Sequence, residues 1–416
     1  MHSHLMVLHK MKNMKTFKLY FEQYELLTEA KANTHLTHLE ELVLTKGEAG
    51  YKTARGFITD LLSHLQGKSK RKVNTTVKWD GAPAMFVGKH PDTGKFFVGT
   101  KSVFNKTGPK INYTDNDVEM NHGHAPGLAD KLKKALKYLP KLGIKGVLQG
   151  DFMFDSSSVN EEIIDGVKHF TFKPNTIKYA VEKDSKLGKE IANSVFGIIF
   201  HTGYADLDSP PQYGINVKGL KKTPGVWVDD AVFSDTTGTV TLTTDEAKQV
   251  RDFVKTADSI KVDYRDLPLD LLNIYANSEI QKGKFLEDPE DSFNNFVDWF
   301  TGRMTKEIDK RKSKAGKLKV EESFKKKMAE FKEQKDDIVN IFKVSKLLSQ
   351  AKQIFVNKYN NAVYNTKHFL DAEDGTLKVT SPEGYVSVSK AGDAVKLVDR
   401  LEFSRANFSG GQTSSK

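Results

Sequence analysis

Thr75-Thr76-Val77-Lys78-Trp79-Asp80-Gly81-Ala82-Pro83-Ala84 is the stretch on which the reading of this chain turns. β-Favouring residues lead into a lysine, and an Asp-Gly pair then ends the run in a turn of small residues. A lysine amine is a nucleophile only without its proton, so it must be partly desolvated or lie near other cations. The end of a strand inside a cleft can supply that. Gly81 permits a tight turn, and Asp80 can position the lysine or a ligand hydroxyl. Taken alone, Lys-x-Asp-Gly arises often by chance and reads equally as a strand ending in an exposed turn.

Four further segments bear on that choice. Gly150-Asp151-Phe152 ends an apolar strand, where Asp151 can accept a ribose hydroxyl or simply sit solvated beside a turn. Phe196-Gly197-Ile198-Ile199-Phe200 is an aromatic-flanked strand; one ring could stack on a base, or both belong to the core. Glu383-Gly384-Tyr385-Val386 sets a carboxylate at a strand start, where it could help hold Mg²⁺ or be an ordinary turn carboxylate. Lys396 lies among alternating apolar residues in Ala394-Val395-Lys396-Leu397-Val398. Pointing into a cleft it can neutralise an α-phosphate; on the other face it is an exposed strand lysine.

Composition sets outer limits. A chain of 416 residues predicts two or three domains. Hydrophobic residues make up 38%, with 26 Phe, enough for a sizeable core. The net charge of +10 draws the chain towards polyanions such as nucleic acid. With 0 Cys, disulfides, thiolate metal sites and cysteine nucleophiles are excluded, and a reducing compartment fits. No apolar run approaches the roughly 18 residues of a membrane span. The start does not read as a signal peptide, and Met14 offers a second initiation point. These features predict a cytoplasmic protein without a membrane partner.

Residues 15–65 read as helical, and a basic turn covers 67–72. Short strands are expected at 75–78, 84–88 and 95–99, the last two joined by the Pro91-Asp92-Thr93-Gly94 turn. A lysine-rich helix follows over 127–142, then strands at 146–154, 170–181 and 195–201. A hairpin is expected over 228–242, a helix over 245–257, and charged helices over 269–359. Strands return at 377–379, 384–389 and 394–398 before a flexible Gly/Ser tail at 409–416. The expected fold is α+β. An N-terminal helical segment spans 1–72, and a domain of antiparallel sheets with flanking helices is formed by 73–205 and 376–408. A mainly helical insertion spans 206–375.

These motifs, in this order, resemble the covalent nucleotidyltransferase superfamily of ATP-dependent DNA ligases, RNA ligases and mRNA-capping guanylyltransferases. Bacteriophage RNA ligases are the nearest in pattern. The resemblance covers 73–202 and 377–400, and implies an ATP-grasp-like ligase domain. It implies that Lys78 attacks the α-phosphate of ATP, releases pyrophosphate and carries AMP, with Asp80 and Gly81 completing the motif. It places Lys101 of Gly99-Thr100-Lys101-Ser102 on phosphate or the acceptor end, Asp151 on the ribose, and Phe196 on the base. Glu383 would support Mg²⁺ (or Mn²⁺) and the lysine, with Asp151 as a second metal ligand, and Lys396 would bind the α-phosphate. The family's last motif is usually Lys-x-Lys, whereas here Val398 follows Lys396. With 20 residues after Lys396, an OB-fold domain is not expected. The whole chain also resembles an uncharacterised protein type of tailed bacteriophages, which implies an infected bacterial host cell.

His122-Gly123-His124 with His64 is a weak metal signature, and no GxxxxGK[ST] phosphate loop is present. Three functions follow: an ATP-dependent ligase acting on nucleic acid, RNA ends first; a nucleotidyltransferase with another acceptor, such as a capped end, a protein or a small molecule; and a catalytically inactive nucleic-acid binder. The residues do not fix ATP against GTP, RNA against DNA, or the oligomeric state.

Overall fold

The structure, a computed structural model, describes residues 36–68, 73–233, 240–362, 366–371, 377–389 and 391–401. The helix expected over 15–35, most of the basic turn and the tail lie outside them. The chain forms two compact units: Asp80–Val232 in one, and Leu36–Trp79 with the chain from Phe233 onward in the other.

The second of these, the outer unit, begins with a 3-10 turn, Leu39–Glu41, and helix α1, Leu42–Leu65. Gly47 breaks α1 with φ 56°, a conformation glycine adopts without a Cβ penalty. Ala54, Phe57, Ile58, Leu61 and Leu65 recur at helical spacing and are buried. Strand β1, Asn74–Lys78, follows, and the chain then crosses into the central unit between Trp79 and Asp80.

In the central unit, β2 (Ala84–Lys89) and β3 (Phe96–Gly99) form the expected hairpin. Helices α2 (Asp115–His122) and α3 (Pro126–Tyr138) lead to β4 (Val147–Asp155). β5 (Asn160–Ile164), β6 (Val167–Phe172) and β7 (Lys178–Glu182) make an antiparallel meander. The single strand expected over 170–181 is therefore two. Pro174 between them has no N–H to give a ladder, which favours the turn. Helix α4 (Lys186–Ala192), β8 (Ser194–Tyr204), β9 (Gln212–Tyr213) and β10 (Gly225–Asp230) complete the unit. The main sheet runs β10-β8-β4-β2-β3, with β9 beside β8. Its pairs are antiparallel except β10 with β8, and residues 234–239 of the hairpin expected over 228–242 lie outside the described residues. Ala129, Leu132 and Ala135 of α3 pack with Met85, Val87, Phe152 and Ile198 from the sheet.

The chain re-enters the outer unit at Phe233. Helices α5 (Thr244–Ser259), α6 (Leu269–Gln281), α7 (Pro289–Asp309), α8 (Lys314–Glu333) and α9 (Lys335–Asn360) follow. Thr243, Asp288 and Ser313 cap α5, α7 and α8 by accepting from first-turn amides. β11 (Lys367–Asp371) and β12 (Leu377–Val379) pair antiparallel. β13 (Gly384–Val388) pairs with both β1 and β14 (Ala394–Leu397), giving a three-stranded antiparallel sheet in the order β1-β13-β14.

The expected division into domains changes here. Val77, Tyr385, Val395 and Leu397 of that small sheet share one core with Leu61 of α1 and Phe342, Phe355 and Tyr359 of α9. The helical stretch is therefore not a separate insertion: its apolar faces are buried against the closing strands and the N-terminal helix. Helices with antiparallel-rich sheets make this an α+β protein. Among the described residues, no helix is long and apolar enough to cross a membrane.

Candidate functional site

The small sheet of the outer unit gathers three of the expected residues. Lys78 is the last residue of β1 and pairs in register with Gly384, the first of β13. Two rungs along, Val386 pairs with Lys396 of β14. This register places Glu383, just before β13, beside the end of β1, and its Oε2 forms an ion pair with Lys78 Nζ. The two side chains are 31% and 22% exposed, so the pair lies at the border between core and solvent.

Gly384 makes that placement possible. A Cβ there would lie 2.6 Å from Val398 Cγ2 and 2.8 Å from the Leu397 carbonyl oxygen, and its φ is +153°. The strand carrying Lys396 thus runs too close for any side chain at 384. Behind the sheet, the Tyr385 ring packs on Tyr359, tilted by 37° at 4.9 Å between ring centres, and its hydroxyl donates to Asn360 Oδ1 at 2.9 Å. Thr75 shares a 3.1 Å hydrogen bond with the Tyr359 hydroxyl. The frame holding Lys78 is therefore packed and hydrogen-bonded on its inner side.

Lys396 is mostly buried. Burial is the first cause drawing its amine below the ordinary lysine range, and the Lys78 charge adds to it, while Glu383 and Glu41 oppose the shift. Among the described residues no carboxylate lies within ion-pairing distance of it. Its backbone N–H donates to the Thr37 carbonyl at 3.0 Å, and a parallel bridge joins it to His38.

Three ionisable groups that sequence reasoning missed complete this region. Lys352 of α9, 2% exposed, donates to Glu40 Oε1 at 2.8 Å and to the Val398 carbonyl at 2.7 Å. Arg400 pairs with Glu41 Oε1 at 2.7 Å. His38 donates its backbone N–H to Glu41 Oε2 at 3.3 Å. One signal was available: Lys396, Val398 and Arg400 alternate, the spacing of one strand face.

The other expected residues belong to the central unit. Asp80 is 8% exposed, and its carboxylate accepts from Asn175 Nδ2 and from the amides of Thr176 and Ile177, each at 2.7 Å. Its own N–H donates to the Tyr179 hydroxyl at 2.7 Å. The carboxylate is thus occupied in fixing the 175–177 turn. Gly81 is required by packing: a Cβ would lie 2.5 Å from Asp151 Cβ and 2.8 Å from the Phe152 carbonyl oxygen. Asp151, on β4, is partly exposed and faces His201 Nε2 across 3.6 Å, while His201 Nδ1 is 2.7 Å from Thr202 Oγ1. Lys101 is exposed at the start of the 3-10 turn Lys101–Phe104.

Phe196 does not present a stacking face. It is 0% exposed, with its ring centre 5.4 Å from Phe152 and 6.4 Å from Tyr138, so its ring surface is spent on the core. Sequence alternation places an aromatic on a strand face but does not say whether that face is covered. His122 is likewise buried, and among the described residues no three His, Asp or Glu side chains gather as a metal site.

Residues 33–412 match DUF6267, a family of unknown function, and the chain belongs to that family. No curated protein and no solved structure matches it.

Proposed function

We propose that this protein is a covalent nucleotidyltransferase of the ATP-dependent ligase type, with Lys78 as the residue that carries AMP. The observation behind this reading is the juxtaposition of Lys78, Glu383 and Lys396 on adjacent ends and rungs of one small sheet. A nucleophilic amine, a carboxylate in contact with it and a cation that has no carboxylate partner among the described residues suit attack on a phosphorus bearing negative oxygens.

In that reaction Lys78 Nζ forms a bond to the α-phosphorus, and the bond from that phosphorus to the bridging oxygen breaks. Pyrophosphate departs with the electron pair. Attack needs the amine without its proton, and Glu383, in contact with it, is placed to hold that proton. Lys396 offsets charge on the α-phosphate oxygens. Gly384 and the Tyr385–Tyr359 contact keep these groups in register. For Asp151 and Lys101, in the central unit, the motif resemblance alone supports roles on the ribose and on phosphate or the acceptor end. Magnesium or manganese commonly takes one or two carboxylates and completes its shell with phosphate oxygens and water; Glu383 is a suitable donor beside Lys78, and bound metal would supply further neutralisation of the triphosphate.

Transfer of AMP to the 5′-phosphate of a nucleic acid, RNA foremost, followed by attack of a 3′-hydroxyl, would complete ligation. The net charge of +10 supports a polyanionic acceptor. One observation favours a second reading, in which AMP passes to a different acceptor without sealing. The position two residues beyond Lys396 is Val398, 5% exposed, so the strand supplies no second lysine there.

Incubation with α-labelled ATP and Mg²⁺ is the test. Wild type should become covalently labelled and Lys78→Ala should not. An unlabelled wild type, or equal labelling of Lys78→Ala, defeats the proposal. Labelled enzyme that never joins nicked or single-stranded RNA or DNA selects the second reading.

A further inference from the structure

We propose that His38 is a positioning residue of the Lys78–Lys396 region, and that its imidazole takes up a proton from solvent when a polyphosphate enters, supplying the second cation that Val398 does not. The inference deepens the nucleotidyl-transfer reading and rests on that site's taking a triphosphate.

The charges around His38 come from every element packed there. Lys78 and the nearby Glu383 belong to the ends of β1 and β13, Lys396 to β14, Arg400 to the segment after it, and Lys352 to α9; Glu40 and Glu41 follow His38 in its own turn. Each of the three carboxylates has a cation: Lys78 pairs with Glu383, Lys352 with Glu40, and Arg400 with Glu41 and, at 3.9 Å, with Glu40. Among the described residues, Lys396 and the imidazole have no carboxylate partner. The parallel bridge between His38 and Lys396, with the Lys396 N–H on the Thr37 carbonyl at 3.0 Å, fixes these two residues side by side.

The imidazole is held ready rather than already used. Its Nδ1 is sealed from solvent and has no hydrogen-bond partner among the described residues. A buried polar atom without a partner is costly, so its retention beside a cluster of cations points to a partner that arrives. Burial, and then the charges of Arg400, Lys352, Lys396 and Lys78, hold the imidazole well below its ordinary value and keep it neutral. An entering polyphosphate reverses the sign of that field. Its negative oxygens offset Lys78 and Lys396, and the proton that the cations excluded can then bind. One proton from solvent is gained by the imidazole, and no bond other than N–H is made.

The experiment follows the histidine ring signals by NMR in the full chain labelled at its histidine rings. Signals are recorded from pH 8 to 5 with and without inorganic tripolyphosphate. The His38 signal is identified by its loss in His38→Gln, or in His38→Asn if the first variant does not fold. The expected result is a midpoint below that of an ordinary histidine in the free protein. With tripolyphosphate it rises by about one unit or more, a tenfold gain in proton affinity. Lys396→Met should weaken tripolyphosphate binding and reduce that rise, which a purely structural histidine would not show. An unmoved midpoint, or no binding of tripolyphosphate, overturns the inference. A His38 signal that shifts in a protein that ATP fails to label leaves this inference standing and removes the nucleotidyl-transfer reading.

Discussion

Asp80→Ala is expected to unfold the central unit more readily while leaving the chemistry of Lys78 largely intact. The Asp80 carboxylate takes three hydrogen bonds of 2.7 Å, from Asn175 Nδ2, Thr176 N and Ile177 N, and is 8% exposed. Hydrogen bonds to a charged acceptor contribute about 1.5–3 kcal/mol each. Their simple sum overstates the loss, because all three donors sit on one turn and the Asn175 amide can reach water. The expected cost is about 3–5 kcal/mol, and about 2–3 kcal/mol for Asp80→Asn, which keeps one accepting oxygen. Trp227 is the tryptophan of the central unit, so Trp79→Phe/Trp299→Phe gives a background in which its emission reports that unit. In urea the midpoint should fall by roughly 1 M or more at unchanged slope. At a temperature where Asp80→Ala remains folded, labelling by α-labelled ATP should stay within about tenfold of wild type. A variant as stable as wild type within about 0.5 kcal/mol, or one that is folded yet loses labelling more than a hundredfold, would refute the structural assignment of Asp80.

Lys396→Met should lower the labelling rate by about a hundredfold or more, the usual cost of removing one electrostatic group from the reacting centre, with little change in urea midpoint; unchanged labelling rejects its role. Lys352→Met takes from buried Glu40 its 2.8 Å partner, leaving Arg400 at 3.9 Å, and should cost about 3–5 kcal/mol, whereas Glu40→Leu/Lys352→Met should recover most of that loss in the same urea assay. Burial pulls the His368 imidazole down to about 4 from 6.5. The unfolded chain binds that proton first, so this contribution is fully present above about pH 6.5 and is lost progressively as pH falls towards 4. It amounts to roughly 3 kcal/mol, and His368→Phe should flatten the stability profile in that window; an equally steep profile would dismiss the assignment.

The elements that the sequence reveals are those with strong local signals. The β2–β3 hairpin has alternation and a Pro-Asp-Thr-Gly turn, and α3 has an apolar stripe at 129, 132 and 135. β5 was hidden because Glu161 and Glu162 interrupt any apolar pattern on a largely exposed strand. The grouping of elements was hidden for a different reason. An apolar helix face shows that something covers it and not what does, so nothing in α9 reveals that Tyr359 packs on Tyr385. At the site, Lys78, Glu383 and Lys396 were legible from strand ends and alternation. His38, Lys352 and Arg400 were not, because they converge from a turn, a helix and a strand end far apart in the chain. Phe196 shows the converse limit, since an aromatic suited to stacking and one suited to the core look alike in one dimension.

The Lys-x-Asp-Gly motif is where the chain passes from one unit to the other, and its two halves are held by separate means. Lys78 is fixed by its rung with Gly384 in the small sheet. Asp80 is fixed by the 175–177 turn, and Gly81 by its closeness to Asp151 and Phe152. Each unit also contains a glycine imposed by a neighbouring strand, Gly81 beside β4 and Gly384 beside the end of β14. The motif's glycine therefore serves packing around Asp151 rather than freedom for Lys78. A methyl at 384 should disturb Glu383 and Lys396 together, because its nearest atoms belong to Leu397 and Val398. A methyl at 81 should displace Asp151 and leave the Lys78–Glu383 pair in place. On the proposed function, the four residues that look like one signature in the sequence thus divide into a half for chemistry and a half for anchoring, and substitutions in the two halves should act nearly additively on stability.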